Sequence, residues 1–186
     1  MWVFGYGSLV WKVGFPYTRR VVGHIKGFSR RFWWWCEVHR GVPGNPGRVV
    51  NLLPDTDKSE VWGVAYHIDD SVWEDGVREQ LEHREKGGYT EHTTLFYPED
   101  TTMDPVSVTL YVGDKDNREY AGPDSLEKMA SLILTSVGPS GPNKDYLYNL
   151  CQGMRELMPH VVDKHLEELE EKVRELEARF QGSILY

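Results

Sequence analysis

Strand-forming stretches in the first part of this 186-residue chain are repeatedly broken by glycine. Trp2-Val3-Phe4 runs into Gly5-Tyr6-Gly7-Ser8-Leu9, and Val21-Val22 into Gly23-His24-Ile25-Lys26-Gly27-Phe28. Glycine inside a strand marks bulges, sharp bends and close approaches of another backbone. A sheet made of such strands is expected to curl into a small barrel. Residues 30–35, 48–53, 61–68, 90–97 and 106–112 also favour strand by their β-branched and aromatic content. The pair 48–53 and 61–68 is expected to form a hairpin across the polar segment 54–59. Of Trp33, Trp34 and Trp35, the first and third should share one face of their strand and Trp34 the other.

Helices enter twice. Ser71-Val72-Trp73-Glu74 reads as a capping box, with Trp73, Val77 and Leu81 at helical spacing and Gly87-Gly88 as the stop. The last third is helical. Leu126, Met129, Ala130, Ile133 and Leu134 make one apolar face, 138–143 breaks it, and a second helix runs from about 144 to 157. A final helix over 160–181 carries a seam of Val162, Leu166, Leu169, Val173, Leu176 and Phe180, with Glu168–Lys172, Glu170–Arg174 and Glu175–Arg179 as flanking pairs. The seam is too short for a self-standing coiled coil. Residues 160–181 are therefore expected to pack on, or extend, a domain formed by 1–159, with a homodimer as the alternative. Strands, an inserted helix, more strands and then helices define the α+β class.

The formal charge of −8 argues against partners that are polyanions, both nucleic acid and anionic membrane. No apolar run approaches the roughly 20 residues that span a bilayer. With strand character beginning at Trp2, no targeting segment is expected. The cysteines, Cys36 and Cys151, are far apart and lack metal-ligand spacing, so reduced thiols and a cytosolic setting are expected. The histidines form no zinc pattern, and His160 and His165 are expected on a solvated helix face. No metal or cofactor is implied.

The loop at 5–9 can aim backbone N–H groups into one concavity and so cradle an anion; an ordinary glycine-rich turn is the alternative. Val10 stands where a dinucleotide fingerprint needs its third glycine, and no phosphate-loop Gly-Lys-Ser/Thr occurs. A carboxylate or carbonyl is thus the better guest. Ser8 is not in a Gly-x-Ser-x-Gly nucleophile elbow. Arg40 and Arg48 flank a Gly/Pro-rich loop, either as a clamp for a second carboxylate or as ordinary surface residues. Among Glu79, Glu82 and Glu85, Glu85 stands apart because the helix turns back into the sheet there. The helix end disfavours its ionised form, while Arg84 and Lys86 favour it. Tyr6, Tyr89 and Tyr111 are candidates for polar lining.

Phe-Gly-Tyr-Gly-Ser-Leu at 4–9, Arg-Gly-Val-Pro-Gly at 40–44, Arg-Glu-Lys-Gly-Gly-Tyr at 84–89 and Gly-Pro-Ser-Gly at 138–141 occur in order. Together they resemble the ChaC-type γ-glutamylcyclotransferases, over about residues 1–159. The resemblance implies a γ-glutamylcyclotransferase-like barrel with flanking helices. It also implies cofactor-free cleavage of reduced glutathione to 5-oxoproline and cysteinylglycine in the cytosol. The family's substrate loop falls on Val3, Phe4, Gly5, Tyr6, Gly7 and Ser8, with Leu9 adjoining, and its catalytic glutamate on Glu85. One departure is Gly76, where the family pattern allows an acidic residue; it bears on a second carboxylate, not on Glu85. The chemistry suits these residues, since a γ-glutamyl compound carries its own nucleophile and needs folding back, a proton acceptor and a donor. Alternatives are a cyclotransferase for other γ-glutamyl amines or peptides, and a non-catalytic binding protein on the same scaffold.

Overall fold

A computed structural model describes residues 1–84 and 88–183. The chain forms two compact units, Met1–Arg30 with Asn51–Asn117, and Arg31–Val50 with Arg118–Tyr186.

The first unit is built on a closed barrel. Its strands are β1 (Trp2–Gly5), β2 (Arg19–Lys26), β5 (Glu60–His67), β6 (Tyr89–Pro98) and β7 (Val106–Gly113), in the order β1-β5-β2-β6-β7. Neighbours are antiparallel except where β1 meets β7 in parallel, at Val3 opposite Thr109, which closes the ring. Phe4 and Phe96 fill the interior with ring centroids 5.7 Å apart. Gly23 and Gly63 lie opposite each other on β2 and β5, and they are what lets these rings in. A Cβ on Gly23 would sit 2.5 Å from the Phe96 ring, and one on Gly63 2.8 Å from the Phe4 ring. The glycine punctuation is therefore a packing requirement of a narrow barrel.

The remaining strands, β3 (Phe28–Cys36) and β4 (Gly47–Pro54), pair with each other, and each passes from one unit into the other. This corrects the hairpin expected between 48–53 and 61–68. β5 takes β1 and β2 as partners, matching all eight residues of β2, and no edge is left for β4. On β3 the alternation holds, with Trp34 in the core and Trp33 and Trp35 half-buried.

Between β5 and β6, α1 (Asp70–Val72) leads through a π-helical turn at Trp73–Val77 into α2 (Arg78–Arg84). Trp73, Val77 and Leu81 are buried as their spacing predicts. The capping box is not formed: Asp69 occupies the N-cap with no side-chain bond, and Asp70 instead binds the Met1 ammonium at 2.7 Å. Gly76 adopts φ 128°, a conformation that an acidic side chain would strain.

The second unit is helical: α3 (Leu126–Thr135), α4 (Asn143–Leu157) and α5 (Lys164–Ser183), with a short hairpin of β8 (Val137–Gly138) and β9 (Gly141–Pro142). Ser125 caps α3, its Oγ accepting from the Lys128 N–H. α5 packs on α3 and α4 through Leu166, Leu169 and Val173, while Val162 and Phe180 at the ends of the predicted seam are exposed. Of the expected ion pairs, Glu170–Arg174 and Glu175–Arg179 form; Lys172 binds Glu175 and Glu127 rather than Glu168. His165 is not on a solvated face, since its Nε2 accepts the Phe32 N–H at 3.0 Å. Among the described residues no helix is long and apolar enough to cross a membrane, and no cluster of side chains could hold a metal ion.

Candidate active site

β1 ends at Gly5, and the chain turns through a single 3-10 turn, Ser8–Val10. Leu9 folds back so tightly that a Cβ on Gly5 would lie 2.5 Å from the Leu9 Cβ. The turn closes on itself through Val10 N–H to Gly7 O at 2.9 Å and Lys12 N–H to Ser8 O at 2.8 Å.

Side chains from two other elements fix this loop from outside. From β5, the Tyr66 hydroxyl donates to Leu9 O at 2.7 Å, and burial pushes that phenol up to about 12, so it stays a donor. From α2, Gln80 and Arg84 lie one turn apart on one face. Gln80 Nε2 donates to Gly14 O at 2.8 Å and Arg84 Nη1 to Val13 O at 2.8 Å. Arg84 Nη2 donates both to Lys12 O, at 2.7 Å, and to Ser8 Oγ, at 2.8 Å. Three successive carbonyls after the turn are thereby held by one helix face. Sequence reasoning gave Arg84 only an electrostatic part beside Glu85. Its partners are two main-chain oxygens and the Ser8 hydroxyl, about 70 positions away in the chain, which no local pattern announces.

Of the aromatic candidates, Tyr6 is buried, and its hydroxyl donates to Tyr111 O at 2.6 Å, tying the loop to β7. Tyr111 is buried too, and Tyr89, half-buried, opens β6 opposite Gly113. Val3 and Phe4 are core residues of β1. Loop, Tyr6, Tyr89, Tyr111 and Arg84 thus belong to one unit. Glu85 lies outside the described residues, directly after Arg84. Glu82 is paired with Arg78 at 3.1 Å on an exposed face.

Arg40 and Arg48 belong to the other unit. Arg40 is partly exposed; its Nη1 donates to Pro142 O at 3.0 Å, and its guanidinium lies over Tyr146. Of the two readings of Arg48, carboxylate clamp or ordinary surface residue, burial removes the second. It is 1% exposed and donates to Phe32 O, Gly122 O and Asp124 Oδ2 at 3.2, 3.0 and 3.3 Å, with its guanidinium 4.3 Å from the Trp35 ring centroid. Burial lowers its pKa, opposed by Asp124. Asn143 further clasps the Arg48 main chain, accepting its N–H and donating to its carbonyl, each at 2.8 Å. Such a guanidinium is an internal bolt: Nη1 and Nη2 are directed at protein acceptors, while the buried Nε has no hydrogen-bond partner among the described residues. Both cysteines are free and buried; burial and the neighbouring Glu170 charge push the Cys151 thiol up to about 12, leaving it unreactive.

The first unit thus joins a barrel strand ending in a glycine loop to a helix face whose Gln80 and Arg84 clamp that loop and the residues after it. The sequence matches the family model described as ChaC-like protein over residues 1–176, and the chain belongs to that family. A glutathione-specific γ-glutamylcyclotransferase 1 of Danio rerio is 44% identical over 172 residues, covering 91% of this chain and 87% of the relative. That of Homo sapiens is 40% identical over 168 residues, covering 89% and 75%. The crystal structure of a yeast γ-glutamyl cyclotransferase specific to glutathione superposes with a TM-score of 0.85 at 32% identity, covering 94% of this chain and 96% of the other. A further γ-glutamyl cyclotransferase, at 16% identity and a TM-score of 0.55, shares the fold.

Proposed function

We propose that this chain is a cytosolic glutathione-specific γ-glutamylcyclotransferase, an enzyme that converts glutathione to 5-oxoproline and cysteinylglycine. The observation that carries the reading is the 2.8 Å bond from Arg84 to Ser8, which ties the glycine loop to the residue preceding Glu85. Relatives at 40% identity and above bearing this activity in their names support the same substrate.

In this reading the loop at 5–9 receives the γ-glutamyl group, and Glu85 is the general acid/base. Glu85 takes a proton from the α-ammonium, and the freed amine attacks the γ-carbonyl carbon. The new N–C bond closes the five-membered lactam, and the C–N bond to cysteine breaks. Both protons that the α-nitrogen sheds reach the leaving nitrogen, so one carboxylate that alternately accepts and donates balances the step. Most of the acceleration comes from holding the amine against its own carbonyl. Tyr6 lies within this loop, and its hydroxyl is anchored on Tyr111 O. Tyr89 and Tyr111 line the same unit, and Arg40 is the remaining candidate for the glycine carboxylate.

The test is a panel of γ-glutamyl compounds with 5-oxoproline and the released amine both quantified. Glutathione should turn over at least about 10-fold faster, by kcat/KM, than γ-glutamyl amines lacking the cysteinylglycine part. Equal turnover would favour the broader cyclotransferase, and binding without product a non-catalytic role.

A further inference from the structure

We propose that Arg84 is a positioning residue whose fork sets Ser8 as a hydrogen-bond donor to an anionic oxygen of the γ-glutamyl group. The inference rests on the proposed function and adds a residue to its machinery.

The argument begins with donor counting. Arginine only donates, so in the 2.8 Å contact the Ser8 oxygen must be the acceptor. The Ser8 proton is then directed away from Arg84, and a hydroxyl that accepts from a cation is a stronger donor to a third group. The only partners such a proton suits are acceptors, and an anionic oxygen suits it best. The guanidinium cannot rotate away to release it. Its Nη1 is bound to Val13 O at 2.8 Å, and the same Nη2 also holds Lys12 O at 2.7 Å. Gln80, one turn earlier, holds Gly14 O at 2.8 Å and keeps this segment against α2. The planar fork therefore fixes both where Ser8 sits and which way its proton points. A lysine at 84 would keep the charge but could not span these acceptors in one geometry.

The experiment compares Arg84→Lys, Ser8→Ala and the double variant, with 5-oxoproline release across pH, glutathione affinity and thermal melting on the same preparations. Arg84→Lys is expected to lower kcat/KM by at least about 10-fold while leaving the pH profile in place, because the positive charge beside Glu85 is retained. Ser8→Ala should show a similar loss, and the double variant little more than either single one, since both remove the same donor. A rise in KM alone would place the α-carboxylate at Ser8; a fall in kcat alone would place the developing oxyanion there, and either supports the proposal. Full activity in Arg84→Lys, additive losses, or an effect on melting alone would overturn it while leaving the cyclotransferase reading intact. Wild-type protein that binds glutathione without turnover would overturn that reading instead, and coupled losses of affinity in the same variants would then sustain the Arg84–Ser8 assignment. Neither turnover nor binding would overturn both.

Discussion

Arg84 and Arg48 both direct a guanidinium at main-chain carbonyls, yet their surroundings differ. Arg48 is sealed in the second unit, stacked on Trp35 and bonded to Phe32 O, Gly122 O and Asp124. Each of its partners is itself structural, so losing it would strand buried acceptors. Arg84 is half-buried in the first unit and holds a segment of loop, and one of its acceptors is a hydroxyl that retains a proton to give. The same fork thus serves stability in one place and orientation in the other. What separates the roles is whether the chain of hydrogen bonds ends inside the protein or at a group that can still act.

The largest expected effect tests the structural side. Arg48→Ala should cost about 3 kcal/mol of folding stability, because it leaves buried carbonyls unpartnered and an emptied space under Trp35. Turnover per folded molecule should stay within a few-fold of wild type. Urea unfolding with activity assayed on the folded fraction measures both. Collapse of turnover in demonstrably folded protein would erase the contrast between the two arginines.

On the chemical side, Glu85→Gln keeps the shape and removes the titratable group, and it should lower turnover by about 100-fold or more. Ligand affinity and melting temperature should be retained. Near-normal 5-oxoproline release would move the acid/base role to another carboxylate, with Glu82 next to test, and would detach the Arg84 loop from the chemistry.

How much of this contrast was legible in the sequence follows from the range of the interactions. The barrel could be read because glycines at 5, 7, 23 and 27 sit inside strand-forming runs, and the helical faces because 3.6-residue periodicity is local. The partner of β4 could not, since pairing is decided by which strands compete for β5. The burial of Arg48 could not be read, because a charged residue beside a Gly/Pro loop is usually exposed and the groups that permit its burial come from residues 32, 122, 124 and 143. Asn51 was missed for the same reason: it is fully buried and exchanges a bond each way with Gly113, each at 2.9 Å. Acceptors on the main chain have no side-chain identity, so the Gln80–Arg84 clamp left no trace beyond the i, i+4 spacing of its donors. The loop at 5–9 was recognisable by composition, whereas Glu85 lies outside the described residues and rests on its motif.

A smaller effect asks whether the second unit is only support. If Arg40 meets the glycine carboxylate of glutathione, Arg40→Ala should raise KM for glutathione by about 10-fold and leave a γ-glutamyl amide without that carboxylate nearly unchanged. Steady-state kinetics on the two substrates decide it. Equal changes would return Arg40 to its visible bond with Pro142 O, and the division between a chemical and a structural unit would sharpen.

The smallest expected effect concerns pH and lies far from the loop. Glu170 on α5 is 6% exposed, and its carboxylate accepts from Arg155 at 2.6 and 3.1 Å and from Arg174 at 2.7 and 3.1 Å. Burial alone would raise its pKa, but the hydrogen bonds and charges of the two arginines outweigh burial and hold it below the ordinary carboxylate range. A depressed folded-state pKa means that the unfolded chain takes up this proton first as pH falls. The stabilisation is therefore complete well above the unfolded value of about 4.3 and is lost as pH falls through the folded value beneath it. Both arginines are more than half exposed, so solvent screens the pairs and the contribution at pH 7 should be modest, about 1–2 kcal/mol. Glu170→Gln should lose that amount at pH 7 and converge on wild type in acid, with turnover per folded molecule unchanged throughout. Denaturant unfolding of both proteins between pH 7 and 3 checks it; a gap that stays constant with pH would show that shape and hydrogen bonding, rather than ionisation, hold α5 to α4.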